Sequence, residues 1–413
     1  MTPPTVWWRV GVIFGAFAFN YFLSALLRAV VATLAPEFAR ELDLGAGELG
    51  LLAGVYFLGF ACMQLPIGWL LDRFGAREVL LSLLALAALG CTGFALARTF
   101  DQLVVARLLI GMGVAASLMA PLTAFVRLFD APLQLRLNAW MLMSGSLGMV
   151  ASTLPVQALL PVLGWRSLFV ALAAALVAAG VLIAATVPRD HTTQSAALRT
   201  VGGYESVVRH PVFVQTAPLA FFTYGGLIAV QSLWAGPWLT QVVMSDALGA
   251  ARGLFLINLA MLASFMTWGL VMPRLVAHGI GPDRLIARGW PLGAVVMLAI
   301  VVAGPVADAL WLAAWCVCTS VVTLCQPLVA LAFPKIEAGR ALSAFNLLVF
   351  LGVFTCQWGM GLVIDTLRSA GWSPVDSYRA AMALLLLGMA GAGAWYWAHP
   401  WITRRKRPVA ACG

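Results

Sequence analysis

The chain has 413 residues, 62% apolar and only 10% charged, with a mean hydropathy of +0.96. Twelve membrane-crossing helices of roughly 20 residues need about 240 mostly apolar positions, and 62% of this length, about 256, meets that need. A soluble domain carries about 25% charged residues, so composition excludes a soluble enzyme and a disordered chain, and a net charge of +9 scattered between apolar blocks is not the basic face of a nucleic-acid-binding domain.

The first apolar block, at about 10–35, is too long for a cleavable signal peptide and leads into further ones. Tyr21, Ser24 and Arg28 follow spacings of three and four and share one helix face, with Asn20 beside Ser24. Pro36 is expected to mark the outer end of this helix, about 12 Å beyond Arg28. Blocks at 49–71 and 79–98 enclose a short loop with Gly68, Asp72, Arg73, Gly75 and Arg77; Tyr56 and Gln64 in the second block are weaker site candidates. The fourth block, 102–126, contains Arg107, then Gly111 and Gly113. Blocks at 138–162 and 167–187 complete the first six. The stretch from Pro188 to His210 is too charged to span a membrane and suits its surface.

Six more blocks follow, at 212–239, 250–272, 285–304, 307–331, 341–364 and 380–398. The seventh presents Tyr224, Gln231, Trp234 and Trp238 on one face, with Gly225-Gly226 and Gly236-Pro237 as points of bending. The tenth offers Thr319, Thr323 and Gln326; the eleventh offers Asn346, Phe350 and Gln357. Amides bond hydroxyls and carboxylates, and aromatic rings pack on a carbon frame. The alternative for each polar residue is interhelical bonding. The expected fold is an all-α membrane protein of twelve helices in two pseudo-symmetric six-helix bundles. One bundle is 1–187, the linker 188–210 and the second bundle 211–413, ending in a basic tail.

Lys and Arg in the loops fix an orientation. The side bearing the termini holds 17 of the 25, the other side six, and Arg28 and Arg107 alone lie inside the blocks. The positive-inside rule then places both termini in the cytoplasm of a multi-pass inner-membrane protein. The halves also repeat: Gly68, Asp72 and Arg73 recur 201 residues on as Gly269, Pro273 and Arg274. A duplicated six-helix unit is a transporter architecture with its site between the halves. Six of the seven cysteines lie in apolar runs, Cys412 lies in the tail, and Cys316-Val-Cys318 has no complementary ligands nearby, so no metal or cofactor is expected.

The pattern Gly68-x3-Asp72-Arg73-x-Gly75-x-Arg77 between the second and third helices resembles the best-known signature of the major facilitator superfamily. Arg107-x3-Gly111-x-Gly113 is similar to its second motif, and the twelve-block layout extends the resemblance over nearly the whole chain. The resemblance implies alternating access by rocking of two bundles, with helices 1, 4, 7 and 10 lining a cavity. Physically, Asp72 suits exposed helix-start amides, while Arg73 and Arg77 suit carboxylates or carbonyls across the boundary between halves. Together they would make a latch favouring the outward-open state. Tyr21 and Arg28 also resemble the first-helix Tyr and Arg that bind carboxylate in the organic-anion branch, where an acidic residue often precedes the Arg; here it is Leu27.

All sixteen Asp and Glu fall in loops or at block edges. Ionisable groups inside a membrane cost a few kcal/mol and point to function. Two interior cations without an interior anion call for an anionic ligand. The expectation is therefore a monomeric secondary transporter of a small organic anion, a carboxylate or sugar acid, with Arg28 as charge clamp. The site expected around it comprises Asn20, Tyr21, Ser24, Arg107, Tyr224, Gln231, Trp234, Asn346 and Gln357. Exchange or facilitated movement fits the missing carboxylates, with a coupling proton at Glu48, Glu337 or Asp365 as another mode. Arg28 could instead snorkel to the outer headgroups, and Arg107 could bind backbone carbonyls. The alternative function is efflux of drugs or hydrophobic compounds by the same fold.

Overall fold

The computed structural model describes residues 4–189 and 204–399. Linker residues 190–203 and the basic tail at 404–407 lie outside the described residues. Every regular element among the described residues is helical. In hydrocarbon each backbone N–H and C=O must find its partner within its own segment, which a helix provides.

The first helix, α1, runs Pro4–Leu42. One helical run, Ala46–Leu96, is broken at Gly75, whose φ of 78° suits a residue without a Cβ. The break yields two spans, α2 at 46–74 and α3 at 76–96. Helix α4 covers 100–128 in two pieces, Phe100–Gly113 and Met119–Leu128. Helix α5 covers 131–163 with a break at Ser152 and Thr153, and Gly164 turns the chain into α6 at 165–186. The short helix Tyr204–Val208 leads to α7 (Pro211–Gln241), α8 (Ala247–Ala277) and α9 (Pro282–Ala303). Last come α10 (Ala309–Ala332), α11 (Lys335–Ser369) and α12 (Pro374–Ala398). These spans coincide with the twelve apolar blocks.

Pro36 does not end α1, which continues through it to Leu42. Arg28 is therefore fourteen residues, about 21 Å, from the end of the helix. Pro36 is therefore not the helix end from which the depth of Arg28 is counted. An interior proline frees the carbonyl four residues back, here that of Ala32. Gly236 of α7 lies against this carbonyl: a Cβ on Gly236 would stand 2.7 Å from the Ala32 oxygen.

The halves meet at the end remote from the linker. Cross-half packing joins α2 to α11, α1 to α7 and α8, and α5 to α8. At the α2–α11 crossing a Cβ on Gly50 would be 2.3 Å from the Gln357 carbonyl oxygen, and one on Gly361 would be 2.3 Å from that of Ala46. Above it the Asp365 carboxylate accepts hydrogen bonds from the first amides of α2, Ala46 N at 2.9 Å and Gly47 N at 2.7 Å. Unpartnered amides and the positive helix start both favour an anion there. At the linker end the matching repeat positions Gly68 and Gly269 have nothing within 4 Å, and Trp69 and Phe74 are exposed. The halves thus enclose a cleft open towards the linker end.

Charge-assisted hydrogen bonds contribute about 1.5–3 kcal/mol each, and 1.4 kcal/mol is tenfold in an equilibrium. Asp365→Asn removes the charge and one acceptor, so it is expected to shift the equilibrium at least tenfold towards an open far end. Spin labels at the exposed positions Arg40 and Arg368 should report a longer interlabel distance in the variant. An unchanged distance distribution would show that Asp365 does not hold this end shut.

Candidate functional site

Arg28 lies mid-span on α1 and is part-exposed. Its guanidinium interacts with the phenols of Tyr21 on its own helix and Tyr56 on α2, and at longer range with that of Tyr224 on α7. Its Cζ is 5.7 Å from the centroid of the Phe60 ring. Phe60 in turn lies 4.6 Å from Phe350 of α11, and Phe57 lies 6.1 Å from the same ring. An aromatic layer drawn from both halves therefore closes the cleft over Arg28 on the far side. The Nε of Arg28 has no hydrogen-bond partner, and no carboxylate pairs with this residue among the described residues.

Tyr56 joins the two interior arginines. Its hydroxyl donates to the Ser24 carbonyl at 3.2 Å, and its ring lies under Arg107, whose Cζ is 4.6 Å from the centroid. Both residues are fully buried, and none of the three guanidinium nitrogens of Arg107 has a hydrogen-bond partner. The sequence expectation put Arg107 at the substrate. The structure encloses it within the first half, behind Tyr56 and next to Cys91 of α3, so it does not reach the cleft in this state.

The other expected site residues divide in the same way. Tyr21 lies against α5, where a Cβ on Gly145 would meet its ring at 2.3 Å, and Tyr224 is part-exposed. Asn20 and Ser24 are fully buried; Asn20 Oδ1 accepts from Ser117 Oγ of α4 at 3.2 Å. Gln231 Nε2 donates to Asn258 Oδ1 of α8 at 2.9 Å. Gln357 Nε2 donates to Ser232 Oγ of α7 at 3.0 Å. Asn346 Oδ1 accepts from Gln326 Nε2 of α10 at 2.6 Å. Trp234 is fully buried and packs edge-on against Tyr378 of α12 at 6.1 Å. These amides and Trp234 bind the second half together, and the structure does not bring them to Arg28.

One feature of the cleft was missed by sequence reasoning. Three of its expected lining helices break near mid-span: α4 at 114–118, α7 through the wide turns Leu219–Tyr224 and Val230–Trp234, and α10 through the tight turns Ser320–Leu324. Such breaks are frequent at functional sites and mark substrate regions in duplicated transporters. Hydroxyls satisfy the loosened backbone: Ser320 Oγ donates to the Val317 carbonyl and Thr323 Oγ1 to that of Ser320, both at 2.7 Å. The signal present in the sequence was the hydroxyl run Thr319-Ser320-x-x-Thr323.

In the loop between α2 and α3, the described contacts of Arg73 and Arg77 stay within the first half in this state. Arg77 donates to the Ala184 carbonyl near the end of α6 at 2.7 Å and pairs with Glu78 at 2.6 Å, so it stays within the first half. Arg73 stacks over Trp69 at 5.1 Å and Phe74 at 5.4 Å, and Asp72 is exposed. The cross-boundary latch expected of this loop needs the linker end closed, and here that end is open.

A family model described as Major Facilitator Superfamily matches residues 17–355. The chain belongs to the Major Facilitator Superfamily. It is a multi-pass membrane transporter of that superfamily, in keeping with its loop signature, its helix count and its paired halves. A 111-residue stretch is 33% identical to MdtD of Klebsiella pneumoniae, named as a candidate multidrug resistance protein, and 32% identical to its namesake from Salmonella typhi. Each alignment covers 27% of this chain and 23% of the relative, so the chain spans less than a quarter of the length of these curated relatives. Among solved structures, a bacterial homologue of the human lysosomal transporter Spinster, inward-facing and occupied, aligns with a TM-score of 0.74 at 16% identity, over 94% of this chain and 96% of that one. A D-xylose–proton symporter aligns with a TM-score of 0.73 at 16% identity, over 92% and 97%. These likenesses show a common fold.

A buried ion without a partner carries a desolvation cost of several kcal/mol, which an apolar residue of similar volume removes. Arg107→Met is therefore expected to raise the thermal unfolding midpoint of the purified protein, followed by intrinsic fluorescence. A lowered midpoint would mean that the guanidinium has stabilising partners beyond the Tyr56 ring.

Proposed function

We propose that this protein is a secondary transporter that carries a small organic anion by alternating access, with Arg28 as the charge clamp. The observation that carries this reading is the setting of Arg28: mid-span, part-exposed, beside phenols of the first half with that of Tyr224 within electrostatic range, and without a carboxylate partner among the described residues. A guanidinium in that position lacks a counter-charge, and a ligand carboxylate supplies one in bidentate geometry. Tyr21 and Tyr224 add hydroxyl donors from opposite halves, so an anion held between them draws the halves together. Helices α1–α6 and α7–α12 then rock as two bodies, and the chain has no enzymatic step in this reading. Exchange or facilitated movement is the mode that asks least of the site.

The orientation follows from charge. With 17 of the 25 Lys and Arg at the end bearing the termini, that end faces the cytoplasm across the inner membrane, and the cleft is open inward. The second reading is efflux of hydrophobic or cationic compounds. It rests on the partial likeness to MdtD and on the aromatic layer of Phe57, Phe60 and Phe350.

Binding of a panel of carboxylates and of cationic dyes to the purified protein separates the two. Truncating one partner of a buried charge pair costs 2–5 kcal/mol, so Arg28→Ala is expected to weaken carboxylate binding at least thirtyfold, with Arg28→Lys recovering part of the loss. Dye binding that is untouched by Arg28→Ala, with no carboxylate binding to the parent protein, would replace the anion reading by the efflux one.

A further inference from the structure

Resting on the anion reading above, we propose that the ligand is an amphipathic monoanion: a single carboxylate on a flat apolar body, rather than a dicarboxylate or a polyhydroxylated sugar acid. Three observations lead there independently.

The first is charge. Among the described residues Arg28 is the one interior cation with access to the cleft, because Arg107 is fully buried behind Tyr56. A second carboxylate on the ligand would face the Phe60 and Phe350 rings with no cation to receive it. Removing a carboxylate from water without a partner is heavily penalised.

The second is the fate of the amides. A sugar acid needs hydrogen-bonding groups for its hydroxyls, and the amides of the second half are engaged with one another. Gln231 bonds Asn258, Gln357 bonds Ser232, and Gln326 bonds Asn346. On the other side Gln64 of α2 donates to the Phe60 carbonyl of its own helix at 3.3 Å. The polar atoms left without a partner there, Gln357 Oε1 and Thr319 Oγ1 among them, are themselves buried, so a ligand hydroxyl entering in this state gives up its water without a replacement bond from them.

The third is the wall beside the clamp. Phe60 stands 5.7 Å from the Arg28 guanidinium and 4.6 Å from Phe350. A planar apolar body attached to a carboxylate on Arg28 would meet these ring faces, a contact that offset or edge-on rings favour.

The test measures calorimetric binding of four probes to the purified full chain: benzoate, gluconate, succinate and benzyl alcohol. Benzoate should bind at least tenfold more tightly than gluconate or succinate. Benzyl alcohol, flat but uncharged, should bind at least tenfold more weakly than benzoate. Phe350→Asn supplies an amide beside the clamp and should narrow the benzoate-to-gluconate ratio at least threefold. Phe350→Leu keeps apolar bulk at this packed position and should weaken benzoate two- to fivefold while retaining discrimination against gluconate. Gluconate or succinate binding as tightly as benzoate, or benzoate affinity unmoved in both Phe350 variants, overturns the amphipathic ligand and leaves the anion reading standing. Benzyl alcohol matching benzoate, or no binding by any of the three carboxylates, overturns the anion reading itself.

Discussion

The start of α2 is held by the other half of the molecule, and the closed far end depends on that. A helix begins with amides that its own backbone cannot satisfy. Here Glu48 reaches back to the Gly45 amide at 2.9 Å, while the amides of Ala46 and Gly47 go to Asp365 at the far end of α11. The glycines at positions 50 and 361 let the two backbones approach closely enough for the carboxylate to arrive. The bond is polar and sits at the membrane boundary, so water can replace it when the ends part. Closure is thereby reversible, which an apolar seal of the same size would oppose. Asp72 offers the same chemistry at the other end of α2, and there it is exposed. Two carboxylates at opposite ends of one antiparallel helix pair suit a molecule in which only one end is shut at a time.

Below that crossing, α2 also reaches the candidate site, since Tyr56 and Phe60 lie about three and four turns from its start. The helix that closes the far end therefore also touches Arg28, the proposed charge clamp. The mid-span breaks of α4, α7 and α10 surround the same level. A helix that is not uniformly wound bends at lower cost than a regular one, so the cleft is lined by the segments most able to follow a rocking motion.

Much of this was legible in the amino-acid sequence. The twelve spans and the interior position of Arg28 follow from apolar block lengths and from the rarity of interior charge, and the Gly75 turn from the loop pattern around it. These signals are local, and the membrane enforces them strictly. Pro36 misled because a proline inside a helix and a proline ending one look alike without the partner that occupies the freed carbonyl; that partner, Gly236, is 200 residues away. Gln231, Asn346 and Gln357 show a related limit of the sequence. An amide on an apolar helix must bond something, and periodicity cannot tell a ligand from Asn258, Gln326 or Ser232 on the next helix. The π-like widening of α7 left no residue signal beyond its glycine pair.

The two interior arginines show how depth and partners decide a role that spacing leaves open. Arg28 keeps part of its surface exposed and has phenols around it. Arg107 has the Tyr56 ring and unpartnered nitrogens. A desolvated cation–π contact contributes about 2 kcal/mol, whereas burying a guanidinium costs several, so the ring does not offset the burial. The contact nevertheless acts on Tyr56. With its ring face against one arginine and its hydroxyl on the Ser24 carbonyl at 3.2 Å, Tyr56 has little freedom to turn, and its oxygen is kept beside Arg28. In this state Arg107 is thus linked to Arg28 through Tyr56, and a residue for which spacing left substrate and anchoring roles open is enclosed one ring behind the proposed clamp.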